Sequence, residues 1–337
     1  MKRQQGIDLL KFIGSFFIMC LHTGYGDLDA SISENIRLLS RWSVPFFFIT
    51  SGFFLGKKLT SNTLAFHRIN KNIVHLIMLF FVAMVAVFLL NVSLTFIFKS
   101  QAQSLLESLS LSAEQSFYHL WFIIALLLGY FTIYLFLKFG KPQALNMLSL
   151  LVWAAAVFTD SYDQFFDLQL SYTPARFLIA IPFMNLGIAL SKGFGSKTSM
   201  LTLVLFLLLG FGIQFSEAEL LLQYLGYSKY HHQFLIGSGM IAVPLFILAS
   251  RWKNAFPLLA DWGKKHSLFI YLYHPVTYYL MLLSFDHIIP SQFHFMKFFN
   301  PLIGFIITIT IALALGKFTP RIYGKLNGDI LKTIPDL

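Results

Sequence analysis

The sequence predicts an all-α fold, a polytopic membrane bundle of about ten transmembrane helices in one integral domain over residues 1–337. Three observations predict it. Composition is the first: 57% of the 337 residues are hydrophobic and only 12% are charged, against about 25% charged in an ordinary soluble domain. The second is a series of ten apolar runs of roughly spanning length, at 7–24, 39–56, 73–98, 117–137, 142–158, 176–191, 199–215, 234–250, 266–284 and 299–316. Spans of this kind are expected to be helical, because lipid cannot satisfy free backbone groups. Charge placement is the third. With the N-terminus in the cytoplasm, 18 of the 25 Lys and Arg residues fall in cytoplasmic segments and six in external ones, with Lys11 inside the first helix. That bias is the positive-inside pattern; an even helix number then places both termini in the cytoplasm.

The same inventory narrows the function classes. The net charge of +10 reads as topology rather than as affinity for nucleic acid, because the basic residues gather in alternate loops. A single cysteine, Cys20, allows no internal disulfide. Lys2 and Arg3 precede an apolar run that lacks a small-x-small cleavage site, so no cleavable signal peptide is expected. No low-complexity segment or internal repeat stands out.

The first helix carries the unusual chemistry. Asp8, Lys11, Ser15 and His22 interrupt an otherwise apolar stretch. Lys11 and His22 are eleven positions apart, close to three turns, so they share a face and lie roughly 16 Å apart along the axis. A polar stripe is costly in lipid and should face protein or a wet cavity. Asp8 and Lys11 could instead mark the cytoplasmic end, with Lys11 snorkelling; His22 is too deep for that reading. Cys20 is two residues from His22 and points elsewhere on a helix.

Helix 2 holds Arg41, then Pro45, then Ser51-Gly52. The small pair admits a neighbouring helix or a ligand, and Arg41 at the outer edge suits an interfacial anchor or a grip on an acidic or phosphate group. The next loop is basic, with Lys57, Lys58, Arg68 and Lys71. Positive-inside charge accounts for most of it, but Arg68 and Lys71 are three apart and share a helix face. Helix 4 opens with Phe117-Tyr118-His119-Leu120-Trp121-Phe122. Tyr118 and Trp121 read as belt aromatics or as site residues, and His119 lies one turn inside the border. The external loop 159–176 carries Asp160, Asp163 and Asp167 ahead of Arg176, and its carboxylates read as a solvated acidic face. The pair His231-His232 could bind metal, though no ligand spacing supports it. Helix 9 contains Tyr271 and His274-Pro275, with His274 buried midway and Pro275 freeing a backbone carbonyl.

Taken together these segments resemble the integral-membrane acyltransferase family 3, which includes bacterial O-acetyltransferases of surface polysaccharides and lipid-linked glycans. Lys11 and His22 are similar to that family's basic residue, ten residues and histidine in helix 1. Lys11 stands where the family usually has Arg, offering a point charge rather than a bidentate fork. The run from Ser43 to Phe53 resembles its Pro-x-Phe-Phe-x-x-Ser-Gly segment, and Arg68-Ile69-Asn70-Lys71 resembles its Arg-x-x-Arg loop. The runs 117–122 and 270–275 match two further signatures.

The resemblance implies acetyl-CoA or a related acyl-CoA as donor, no metal, and a glycan or lipid-linked sugar acceptor handled in the bacterial cytoplasmic (inner) membrane. On that basis His22, Lys11 and Asp8 are expected to be catalytic, with His22 as general base toward a sugar hydroxyl. Arg68, Lys71 and Ser51 are expected to hold the donor. Arg41, His119, Trp121, Arg176, Tyr271 and His274 are expected to line the acceptor side. The competing class is a transporter or flippase of a glycan or lipid, which would also need buried charges and broken helices.

Overall fold

The structure, a computed structural model, describes residues 4–22, 30–59, 65–98, 119–163, 174–226, 228–229, 232–287 and 297–328. Among these it is helical throughout, with no strand. The helices are α1 (Gln5–His22), α2 (Ala30–Ser40), α3 (Ser43–Leu59), α4 (Ala65–Phe98), α5 (Trp121–Lys138), α6 (Pro142–Ser161), α7 (Ala175–Leu178), α8 (Ala180–Ser191), α9 (Met200–Leu225), α10 (Ile236–Arg251), α11 (Pro257–His287), α12 (Asn300–Phe318) and α13 (Pro320–Leu326).

Each of the ten expected spans coincides with helix, and seven helical stretches among the described residues are long and apolar enough to cross a membrane. The others depart for local reasons. Ala175–Ser191 and Ile236–Arg251 are apolar but shorter. The first of these breaks at Ile179, four residues after Ala175 and just ahead of Pro182, whose ring clashes with the carbonyl of Leu178 in a continuous helix. α11 is long, but its first turns carry Asp261, Lys264 and Lys265.

One helix was not expected. α2 lies where a polar loop seemed to lead into the second span. Its Leu38 is fully buried against Ala218, Leu221 and Leu235, and Gln214 Nε2 on α9 donates to the Leu38 carbonyl at 2.6 Å. Ser43 Oγ then donates to the Ser40 carbonyl at 2.8 Å, closing the turn at Arg41-Trp42 that joins α2 to α3.

Lipid tails give helices no hydrophobic reason to associate, so bundles in membranes close on small residues. The three most extensive pairings, α3 with α8, α1 with α11 and α9 with α10, all do so. A Cβ at Gly52 would fall on the Met184 backbone, and one at Gly187 on the Ile49 carbonyl. A Cβ at Gly263 would fall on the Asp8 carbonyl, and one at Gly237 on Gln214. α1 therefore sits inside the bundle, against α3, α10, α11 and α12, with one core cluster built around Phe46, Phe48 and Phe246 and another around Met19, Ile123 and Leu272.

Candidate functional site

The polar stripe of α1 stays off the outer surface of the bundle. Asp8 and Ser15 are buried; Lys11 Nζ lies 3.5 Å from Asp8 Oδ1, and Ser15 Oγ donates to the Lys11 carbonyl at 2.7 Å. Ser15 is thus satisfied locally, while Lys11 faces a cavity.

Two cavities meet at the C-terminal end of α1. One, of 370 Å³, has Lys11, Ser51, Asn72, His75, Lys264 and Tyr271 in its wall. The other, of 330 Å³, is lined by Arg37, Arg41, Arg176 and Gln233. His22, Val44 and Trp121 belong to both walls. His22 ends α1 and lines both cavities. His22 thus stands between a cavity that reaches Lys11 and a cavity lined by three guanidinium groups.

The Arg-lined cavity is assembled from separate elements. α2 supplies Arg37 and the following turn supplies Arg41. α7 supplies Arg176, which is buried with its guanidinium carbon 4.6 Å from the centroid of the Trp121 ring. That stacking holds the guanidinium plane by a cation–π contact. Trp121 is itself buried, so it is no interfacial belt residue. Three like charges around one cavity suit an anionic or strongly polar ligand group.

Behind His22 lie two more histidines. His274 is buried on α11, its ring centroid 5.3 Å from that of His22, and His119 is 6.4 Å from His274. The geometry of His274 follows from its neighbour. Pro275 has no N–H, so the Tyr271 carbonyl four residues earlier loses its helical donor. His274 Nδ1 takes that place at 2.8 Å. A carbonyl only accepts, so Nδ1 carries the proton and Nε2 presents a lone pair. That Nε2 is buried and has no hydrogen-bond partner among the described residues. His119 is fixed against the same helix: its Nε2 donates to the Leu272 carbonyl at 3.1 Å, and its own carbonyl accepts from Tyr271 Oη at 2.8 Å.

Of the twelve expected site residues, the cavities thus bring together His22, Lys11, Ser51, Arg41, Trp121, Arg176 and Tyr271, with Asp8 held by Lys11 and with His119 and His274 just behind. Gly52, the partner of Ser51 in the small pair, faces α8 instead, so the pair serves a helix crossing and a cavity wall at once. The basic loop is different. Lys71 is exposed and is absent from the wall, where Asn72 and His75 of the same helix stand; the side chain of Arg68 lies outside the described residues.

Asp160 differs from expectation, and a second acid, Glu217, plays a like part. Asp160 is no solvated loop residue: its Oδ2 accepts the Gln233 and Phe234 N–H groups at 2.6 and 2.8 Å. Glu217 is buried and accepts from Ile236 N–H at 3.2 Å and Tyr162 Oη at 3.0 Å. Both carboxylates pin the strip 232–237, which walls the Arg-lined cavity. A carboxylate satisfies such backbone donors at the start of a helix; a sequence of acids between apolar runs does not distinguish that from solvation. Asp163 is half-buried; Asp167, Tyr118 and His231 lie outside the described residues. Sequence reasoning missed Arg37 as a site residue, having placed it in a loop; its spacing of four from Arg41 was the available signal.

Among the described residues, no group of three or more His, Cys, Asp or Glu could hold a metal ion. Cys20 is buried and lines neither cavity.

The comparisons with known proteins come to one family and one distant relative. The profile of a family described as "Acyltransferase domain" matches residues 4–317. A curated protein of Enterococcus faecalis described as an amino-acid racemase is 25% identical over 161 residues, which are 47% of this chain and 22% of that protein. The match thus takes in about a fifth of that relative's length, and the racemase description belongs to that protein. No solved structure matches.

Proposed function

The chain belongs to the acyltransferase 3 family, and from that premise we propose that it is an acyl-CoA-dependent O-acyltransferase, transferring an acetyl group to a sugar hydroxyl of a surface or lipid-linked glycan with His22 as general base. One observation carries the reading: His22 belongs to the walls of both cavities, so two reactants entering from opposite ends of the bundle would meet at its ring.

The donor side is the cavity with Lys11. Its cations Lys11 and Lys264 and its polar Asn72 and His75 stand toward the end of the bundle where α1 begins, while Phe47, Leu76 and Leu126 line its course. Polar and cationic groups at one end of an apolar passage fit a phosphate-bearing thioester whose arm reaches inward. Ser51 offers a hydroxyl along the way. The acceptor side is the cavity of Arg37, Arg41 and Arg176, with Trp121 as an aromatic face. The positive-inside bias puts the donor end in the cytoplasm and the acceptor end outside.

His22 would accept the hydroxyl proton as the oxygen attacks the thioester carbonyl carbon. The C–S bond breaks, and His22 returns the proton to the departing sulfur, giving the ester and a free thiol. Imidazole suits both steps because one ring nitrogen can take up a proton and give it back. His274, with its proton fixed on Nδ1, steadies the His22 ring, and Asp8 holds Lys11 in the stripe.

The test is thiol release from acetyl-CoA by the purified protein in lipid nanodiscs with a glycan acceptor. The wild-type chain should turn over, and His22→Ala should lose about 10²- to 10⁴-fold, the contribution of a positioned acid–base group, at an unchanged elution volume. Equal turnover by His22→Ala would overturn the mechanism. Glycan movement across a vesicle without thiol release would favour a transporter.

A further inference from the structure

The cavity that reaches Lys11 takes much of its wall from two helices. α4 supplies Asn72, His75 and Leu76, and α11 supplies Lys264, Ser267 and Leu268. The distance between these helices sets the width of the cavity. α4 is peripheral: Val74, Ile77, Phe81 and Val85 are exposed along one face. It has no glycine along its length, so it lacks a close crossing of the kind that seats α1 on α11 at Gly263. Lipid gives two helices little reason to stay together without such contacts.

The short helix α13 supplies a tie. Tyr323 Oη donates to the Lys265 carbonyl at 2.9 Å, and Asn327 Nδ2 donates to the same oxygen at 2.7 Å. A hydroxyl has one proton. Tyr323 spends it on that carbonyl, so its oxygen accepts from His266 Nδ1 at 2.5 Å. Tyr273 Oη donates to the Leu326 carbonyl at 3.2 Å, and the Tyr323 ring lies 5.4 Å from that of Phe269. α11 thus grips α13 from Lys265 to Tyr273.

After α13 the chain turns at Gly328, which is buried with φ at +96°. A Cβ there would lie 3.0 Å from His75 Nε2 and 3.7 Å from Leu268 Cδ2. Gly328 therefore backs one wall side chain from each helix, and both its backbone angle and this close approach call for glycine. None of the residues that α13 and Gly328 touch in this way lines the Arg-lined cavity. α13 also lies past residue 317, where the match to the family profile ends.

We propose that α13 is a strap that fixes α4 against α11 and so shapes the cavity for the acyl donor, with Tyr323 and Asn327 as positioning residues. The proposal rests on the acyltransferase reading for the identity of that ligand. Releasing the strap weakens donor binding and leaves the acceptor side as it was.

The experiment measures coenzyme A binding to the full-length protein in lipid nanodiscs by calorimetry. The variants are Tyr323→Phe, which keeps the ring, and Tyr323→Phe with Asn327→Ala, which takes both side-chain donors from the Lys265 carbonyl. The double variant should bind about tenfold more weakly, a usual size for coupling between two sites, and Tyr323→Phe should fall between it and wild type. In thiol-release kinetics the KM for acetyl-CoA should rise by the same factor with the acceptor KM unchanged. A merely structural cap would lower the melting temperature and leave the ratio of the two KM values where it was. Wild-type coenzyme A affinity in the folded double variant would overturn the proposal, as would an equal rise in both KM values. Should the double variant not fold, wild-type affinity in Tyr323→Phe overturns it. Wild-type protein that binds coenzyme A without releasing thiol would sink the acyltransferase reading alone, and wild-type protein that binds none would sink both.

Discussion

His22 and His274 face each other across the α1–α11 crossing with ring centroids 5.3 Å apart and planes 36° from parallel. What makes this pair ordered rather than merely close is a proline. Pro275 leaves the Tyr271 carbonyl without a helical donor, and His274 Nδ1 supplies one.

Pro275→Ala tests that chain of cause. The new N–H at 275 can reach the Tyr271 carbonyl and compete with His274 Nδ1. A proline inside a helix costs ~3 kcal/mol relative to alanine, so the variant should melt at a higher temperature. It should also turn over more slowly, because His274 is then free to change tautomer and rotate. Thermal melting and thiol release, measured on one preparation, check both halves. A variant that is more stable and equally fast would detach His274 from the reaction.

The arginines make a second prediction. Arg41→Gln removes one charge-assisted contact, a kind of hydrogen bond worth about 1.5–3 kcal/mol, so acceptor KM should rise roughly 10- to 150-fold with little change in the KM for acetyl-CoA. Arg176→Lys should behave almost as badly as Arg176→Gln. Its guanidinium carbon sits 4.6 Å from the centroid of the Trp121 ring, and a lysine provides neither the plane nor the fork. Steady-state kinetics with each reactant varied in turn separates the two sides.

Much of this site was legible in the sequence because the membrane makes polar residues conspicuous. Lys11 and His22 stand out in an apolar run, and three turns of helix suffice to align them. His274-Pro275 was legible for the same reason, since both are costly in mid-helix. Arg37 was not, because a charged residue among Ser, Glu and Asn reads as loop; what makes α2 a helix is tertiary, namely Leu38 buried on α9 and Gln214 reaching across. Asp160 was misread for the opposite reason. Acids between spans are usually solvated, and only the fold reveals the N–H groups that come to them.

Gly52 gives a prediction about packing. Its missing Cβ is filled by the Met184 backbone, which cannot retreat as a flexible side chain could. Gly52→Ala should therefore push α3 from α8 and cost about 1–3 kcal/mol, the usual penalty of overpacking. Gly212→Ala, at a position where a Cβ would meet nothing within 4 Å, should be stable or slightly stabilising by helix propensity. Thermal melting of the two variants decides whether the crossing or general helix flexibility sets the effect.

Glu217 closes the series, because it connects stability to the acceptor cavity. Its carboxylate accepts from Ile236 N–H, Gly237 N–H and Tyr162 Oη while buried on α9. Glu217→Ala leaves the two backbone donors at the start of α10 buried and unpaired, at about 1–3 kcal/mol. Glu217→Gln keeps one acceptor oxygen and should lose less. Tyr162→Phe removes a donor rather than the acceptor and should cost only ~1 kcal/mol, the net worth of one hydrogen bond. The ranking Ala, Gln, Phe in order of decreasing damage should appear in melting temperature. It should appear again in acceptor KM, since the strip that Glu217 pins carries Gln233, Leu235 and Ser238 into the cavity wall. Stability loss without a KM change would make the carboxylate a structural cap alone.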